Sequence, residues 1–185
     1  MKKTLCLLFT MAALLLLPAC TAEQPSPVSV PSIPEIDFGI HGRQYTTIEE
    51  ALTATWVGDS STIVVVGTPT DEIVHTGGAG SRYVVDVKRF LCGEETEVLL
   101  MQTFGTELIA GKEYLMILQW QGIDHVYAVA GTANQCAFWL RKGELWGNDQ
   151  ALLTEIYTDT GGNIKTMDEL ADYFTARLAA LETTE

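Results

Sequence analysis

The stretch Arg82-Tyr83-Val84-Val85-Asp86-Val87-Lys88-Arg89-Phe90-Leu91 decides the fold class. Tyr83, Val85 and Val87 share one face of an extended chain, and Val84, Asp86 and Lys88 share the other. That period of two is the signature of a half-buried β-strand. Upstream, Thr62 to Thr68 is a β-branched run, and Thr76-Gly77-Gly78-Ala79-Gly80-Ser81 reads as a flexible loop joining it to the first stretch. Downstream, Val98 to Thr103, Glu113 to Gln121, Val126 to Ala130 and Ala137 to Arg141 read as four more strands, with turns at Gly111 and at Lys142-Gly143. The connections are too short for crossover helices, so antiparallel order is expected.

Helices flank this β region. Thr47-Ile48-Glu49-Glu50 has the spacing of a capping box and predicts a short helix to about Thr55. A second helix is expected from Asp149 to about Tyr157. Thr166-Met167-Asp168-Glu169 is another capping box. Beyond it Met167, Leu170, Ala171, Phe174, Leu178 and Leu181 recur at helical spacing and form one apolar stripe suited to packing on the sheet. The expected class is mainly β with flanking α-helices: a small antiparallel β-barrel of five to six strands, one N-terminal helix and two C-terminal helices.

Residues 61–120 carry a family pattern. Val66-Gly67-Thr68, Tyr83-Val84-Val85-Asp86-Val87, Leu91-Cys92-Gly93 and Gly111-Lys112-Glu113-Tyr114-Leu115-Met116-Ile117-Leu118 follow one another. Their order resembles the OB-fold domain shared by netrin-like modules and tissue inhibitors of metalloproteinases, and the resemblance implies an OB-like barrel. The inhibitors' chemistry is not carried over. It needs a free amino-terminal cysteine just before the first strand, and the chain offers none there.

The N-terminal region reads differently. Lys2 and Lys3 precede the apolar run Leu5 to Leu17, which is shorter than the ~20 residues a membrane span needs. Leu17-Pro18-Ala19-Cys20 follows and resembles the lipobox of bacterial lipoproteins. The resemblance implies cleavage before Cys20 and lipid on its sulfur. Two acyl chains suffice for durable attachment. Residues 1–19 are thus expected to be a signal peptide. Residues 20–44, with Pro25, Pro27, Pro31 and Pro34, are expected to be an extended tether, and 45–185 a single globular domain. The expected location is the cell envelope, on the outer face of the cytoplasmic membrane or on an outer membrane where the host has one.

Eleven basic against 24 acidic residues leave a net charge of −13. Such a surface is repelled by phosphate backbones, so no nucleic-acid partner is expected. Cys6 belongs to the signal and Cys20 to the anchor, which leaves Cys92 and Cys136. Outside the cytoplasm these are a candidate disulfide pair. Separate buried thiols and free surface thiols are the other readings.

Catalytic and metal patterns are sparse. His41, His75 and His125 stand apart, and no Gly-x-Ser-x-Gly elbow occurs. There is no Cys-x-x-Cys or His-Glu-x-x-His. Asp159-Thr160-Gly161-Gly162-Asn163 lacks the carboxylate that a calcium loop requires. No cofactor is expected. Trp120, Tyr127, Phe138, Trp139 and Trp146 crowd the second half of the β region. Of these, Trp120, Tyr127, Trp139 and Trp146 are candidate ligand contacts, with core packing as the alternative. The expected function is a non-enzymatic binding or interaction module, with the membrane and an envelope protein, peptide or glycan as partners. A small secreted hydrolase using a carboxylate pair and a structural envelope component are the rival readings.

Overall fold

The computed structural model describes residues 43–54, 62–75, 81–96, 98–103, 108–122 and 125–183. Cys20, the signal and tether up to residue 42, His41 and the 76–80 loop lie outside the described residues. Among these residues seven strands are present: β1 (Thr62–His75), β2 (Ser81–Cys92), β3 (Leu99–Thr103), β4 (Tyr114–Trp120), β5 (Val126–Val129), β6 (Ala137–Arg141) and β7 (Glu144–Gly147). The helices are α1 (Ile48–Thr53), α2 (Gln150–Thr160) and α3 (Met167–Glu182). The mainly β class, the helix before the sheet and the two helices after it agree with the sequence reading.

All seven strands join one sheet in the order β1-β2-β3-β5-β4-β6-β7, and β1 also pairs with β4. The first five therefore close a ring, β1-β2-β3-β5-β4-β1. Two expectations are corrected here. The described residues form seven strands, because Glu144–Gly147 adds one beyond the Lys142-Gly143 turn. And β3 pairs with β5 in parallel, Leu100 opposite Val126 and Gln102 opposite Ala128. The reason is parity: strands around a ring of five cannot alternate direction at every junction, so one junction must be parallel.

β1 runs past the expected Thr68 to His75, and register shifts at Val64/Val65, Val66/Gly67 and Pro69/Ile73 bend it. Its pairing with β4 ends at Gly67 opposite Tyr114, so Pro69 lies beyond the ladder that would need its missing N–H. A Cβ on Gly67 would meet Val85 Cγ1 at 2.8 Å. The close approach of β1 to β2 therefore depends on the absent side chain.

The core lies on both faces of β1 and β4. Ile63, Val64, Val65 and Val66, and Leu115, Met116, Ile117 and Leu118, are all buried although alternate residues point to opposite faces. Helices cover one of those faces: α3 packs on β2 and β4, and the rings of Phe138 and Phe174 sit 5.6 Å apart. Leu170 and Phe174 are fully buried, each contributing about 2–3 kcal/mol of apolar burial. The stripe read from sequence thus packs on the sheet.

The two capping boxes differ. At α3 the box is complete: Thr166 Oγ1 accepts from Glu169 N, and Glu169 Oε2 accepts from Thr166 N at 2.9 Å and Lys165 N at 2.7 Å. At α1, Thr47 Oγ1 accepts from Glu50 N at 3.1 Å. The Glu50 carboxylate, however, takes the N–H and hydroxyl of Thr46, at 2.8 and 2.9 Å. That box is therefore shifted by one residue at its acidic end.

Cys92 and Cys136 are both free thiols, so the candidate disulfide is not made. Cys92 lies opposite Val64, Val64 opposite Ile117, and Ile117 N donates to the Cys136 carbonyl. β1 and β4 thus separate them, roughly three strand spacings of ~4.8 Å. A disulfide needs Cα atoms within ~7 Å.

Candidate functional site

The β6–β7 hairpin turns at Lys142 (φ 54°) and Gly143 (φ 73°). Positive φ at both central residues matches the right-handed twist of the strands it joins. Arg141 then faces Glu144, Leu140 faces Leu145, Trp139 faces Trp146 and Phe138 faces Gly147. In such a hairpin the closing pair exchanges both ladder bonds, and bonded and unbonded pairs alternate. Leu145 and Gly147 therefore direct their N–H and C=O away from β6. β7 is the last strand of the sheet order, so among the described residues that side has no strand beside it.

Asp149 reverses the chain. Its Oδ1 accepts from Ala151 N at 2.8 Å and Leu152 N at 3.0 Å, capping α2. The helix then packs against β7. Between them lies a groove of about 640 Å3, lined by Leu145 and Trp146 from β7, Leu153 and Tyr157 from α2, and Ile164 and Lys165 from the loop that follows. Its volume falls in the range of ligand pockets.

Among the described residues the large apolar side chains left exposed are Ile109, Trp146 (40 %) and Tyr157 (65 %). Two of these three line the groove. Tyr157 is seated by Gly162 (φ +73°): a Cβ there would meet the ring at 2.3 Å, so the ring lies directly on the glycine backbone.

Positive charge gathers at the hairpin end of this acidic protein. The Arg141 guanidinium lies 5.5 Å from the Trp146 ring centre. Lys112 Nζ sits 3.8 Å over Trp139 and 5.0 Å over Tyr114, and Trp139 meets Tyr114 edge-on at 5.7 Å. Burial, with the neighbouring charge of Arg141, holds the Lys112 ammonium below the usual lysine range. Lys112, Arg141, Lys142 and Lys165 make no ion pair among the described residues.

The four aromatics singled out from sequence fall into two pairs. Trp139 and Trp146 are cross-strand neighbours on the hairpin, and of the two Trp146 lines the groove while Trp139 packs on Tyr114. Trp120 and Tyr127 oppose each other across β4 and β5, at the other end of β4 from Leu115 and Met116, where β6 docks. Tyr127 is half-buried, and burial raises its phenol above the ordinary tyrosine range. Phe138 is wholly in the core. Sequence reasoning missed Leu145, Tyr157 and Lys165. The spacing of Leu153 and Tyr157, four apart on a helix face distinct from Leu152 and Ile156, was the available signal.

Glu144 is the one acid among the residues lining the groove, whereas glycoside hydrolysis by the usual route requires two. Glu50 and Glu169, whose carboxyls are held below the ordinary range by backbone N–H groups, serve as helix caps. Among the described residues no three His, Cys, Asp or Glu side chains gather as a metal site, and no helix is long and apolar enough to cross a membrane. Comparison with protein-family models, with curated proteins and with solved structures gives no match.

Proposed function

We propose that the protein is an extracytoplasmic lipoprotein whose folded domain is a non-enzymatic binding module. In this reading lipid on Cys20 holds the chain to the envelope, residues 20–44 space the domain from the membrane, and the groove between β7 and α2 takes the ligand. The ring β1-β2-β3-β5-β4, with its bulged first strand, supports an OB-like barrel as the scaffold. The observation that carries the binding reading is that Trp146 and Tyr157, exposed at a cost in apolar hydration, both line one groove of ligand size.

Two measurements test it. Intact mass of the chain recovered from a bacterial envelope should show cleavage before Cys20 and a diacylglyceryl group on it. An unmodified residue 20 overturns the anchor. A random linear peptide library and a glycan array, both probed with the full chain in detergent, should yield a ligand whose binding falls about tenfold or more in Trp146→Ala and Tyr157→Ala. Ligands indifferent to both substitutions overturn the groove as the site.

A further inference from the structure

We infer that β7 takes an extended peptide as an added strand, the peptide lying in the groove between β7 and α2. This rests on the binding reading above and names its ligand class. Leu145 and Gly147 turn a donor and an acceptor each toward the side of β7 that no described strand pairs, in the order an extended backbone would match. A sugar or a fatty chain satisfies no such ladder. Four residues of strand present about 13 Å of edge, enough for four or five residues of peptide.

Specificity follows from the walls. Alternate side chains of the added strand point to opposite faces. One set meets Leu153, Tyr157 and Ile164 and is apolar. At the hairpin end, Arg141, Lys142 and Lys165 make no ion pair among the described residues and outnumber Glu144, the acid opposite Arg141, so an acidic side chain or a terminal carboxylate is favoured there. A second copy of the chain pairing β7 to β7 is the rival occupant. It would bring together two strongly acidic molecules and two sets of these cations.

The test uses the tightest peptide from the library and a series of its singly N-methylated forms, with the full chain in detergent. N-methylation at positions of one parity should weaken binding roughly tenfold per ladder bond lost, and at the other parity should leave it nearly unchanged. The amides of Leu145 and Gly147 should exchange with deuterium at least about tenfold more slowly in the complex. A peptide that needs Trp146 but tolerates N-methylation throughout overturns the added strand and leaves the binding reading standing. Ligands confined to the glycan array do the same. Slowed exchange at Leu145 and Gly147 that grows with protein concentration in the absence of peptide assigns the edge to a second copy and also overturns the inference.

Discussion

Gln135 holds Tyr45 by both ends of its side-chain amide. Its Oε1 accepts from Tyr45 N at 2.9 Å, and its Nε2 donates to the Tyr45 carbonyl at 2.6 Å. The second Nε2 proton goes to Asp149 Oδ2 at 3.0 Å. One buried side chain thus stands in for a strand partner across ninety residues of sequence and touches the residue that caps α2. Gln135→Leu should leave several buried polar groups unpaired and destabilise the fold by about 2–3 kcal/mol in urea unfolding. A loss under about 0.5 kcal/mol would show that water or rearrangement replaces the clasp.

Gly162→Ala is expected to lower stability by about 1 kcal/mol, because the residue sits at φ +73°. It should also displace the Tyr157 ring, which occupies the space a Cβ would fill. Peptide binding should therefore weaken in a variant that still unfolds cooperatively. Unchanged affinity would remove Tyr157 from the contact surface.

The thiols of Cys92 and Cys136 are both raised by burial, Cys136 far more so. The thiolate is the reactive form. Iodoacetamide should therefore label the native protein slowly at Cys92 and not at Cys136, and label both in denaturant without prior reduction. A mass shift of about 2 Da on reduction, from a disulfide linking these two residues, would contradict the strand separation given above.

Acid lability should register at α3. The backbone N–H groups of Lys165 and Thr166 hold the Glu169 carboxyl below its usual range. A depressed folded value contributes stability above the unfolded value, near 4.3, that is lost as pH falls through the folded one. Glu169→Gln keeps a box acceptor but not the titration. Its melting temperature should fall less steeply than that of the parent between about pH 5 and 3. Parallel curves would sink this assignment.

The alkaline side has the opposite sign. Burial, and then the hydrogen bond to Asp159 at 2.8 Å, push the Tyr173 phenol well above its ordinary value. A raised folded value gives stability that is intact below the unfolded value, near 10, and declines as pH rises beyond it. Absorbance at alkaline pH should show Tyr173→Phe losing one late-titrating phenolate, and its stability should fall less steeply above pH 10.

Much of the scaffold was legible because its signals are local. The alternation of Tyr83, Val85 and Val87 and the apolar run from Tyr114 are written in neighbouring residues, as are the hydroxyl caps at Thr47 and Thr166. β7 was not legible. Glu144-Leu145-Trp146-Gly147 has no β-branched residue, and it is a strand because Lys142-Gly143 folds it back on β6. The groove was half legible: Trp146 drew notice, while Tyr157 read as one more residue on a helix.

By itself the sequence determined which segments extend, which coil and where each helix begins, since those depend on side chains a few positions apart. Only the tertiary structure decided the parallel β3–β5 junction, the separation of Cys92 from Cys136, and the placing of Trp146 and Tyr157 along one groove. Each is a relation between distant segments, set by ring closure and by the packing of α2 against an edge strand, and no local pattern of residues encodes it.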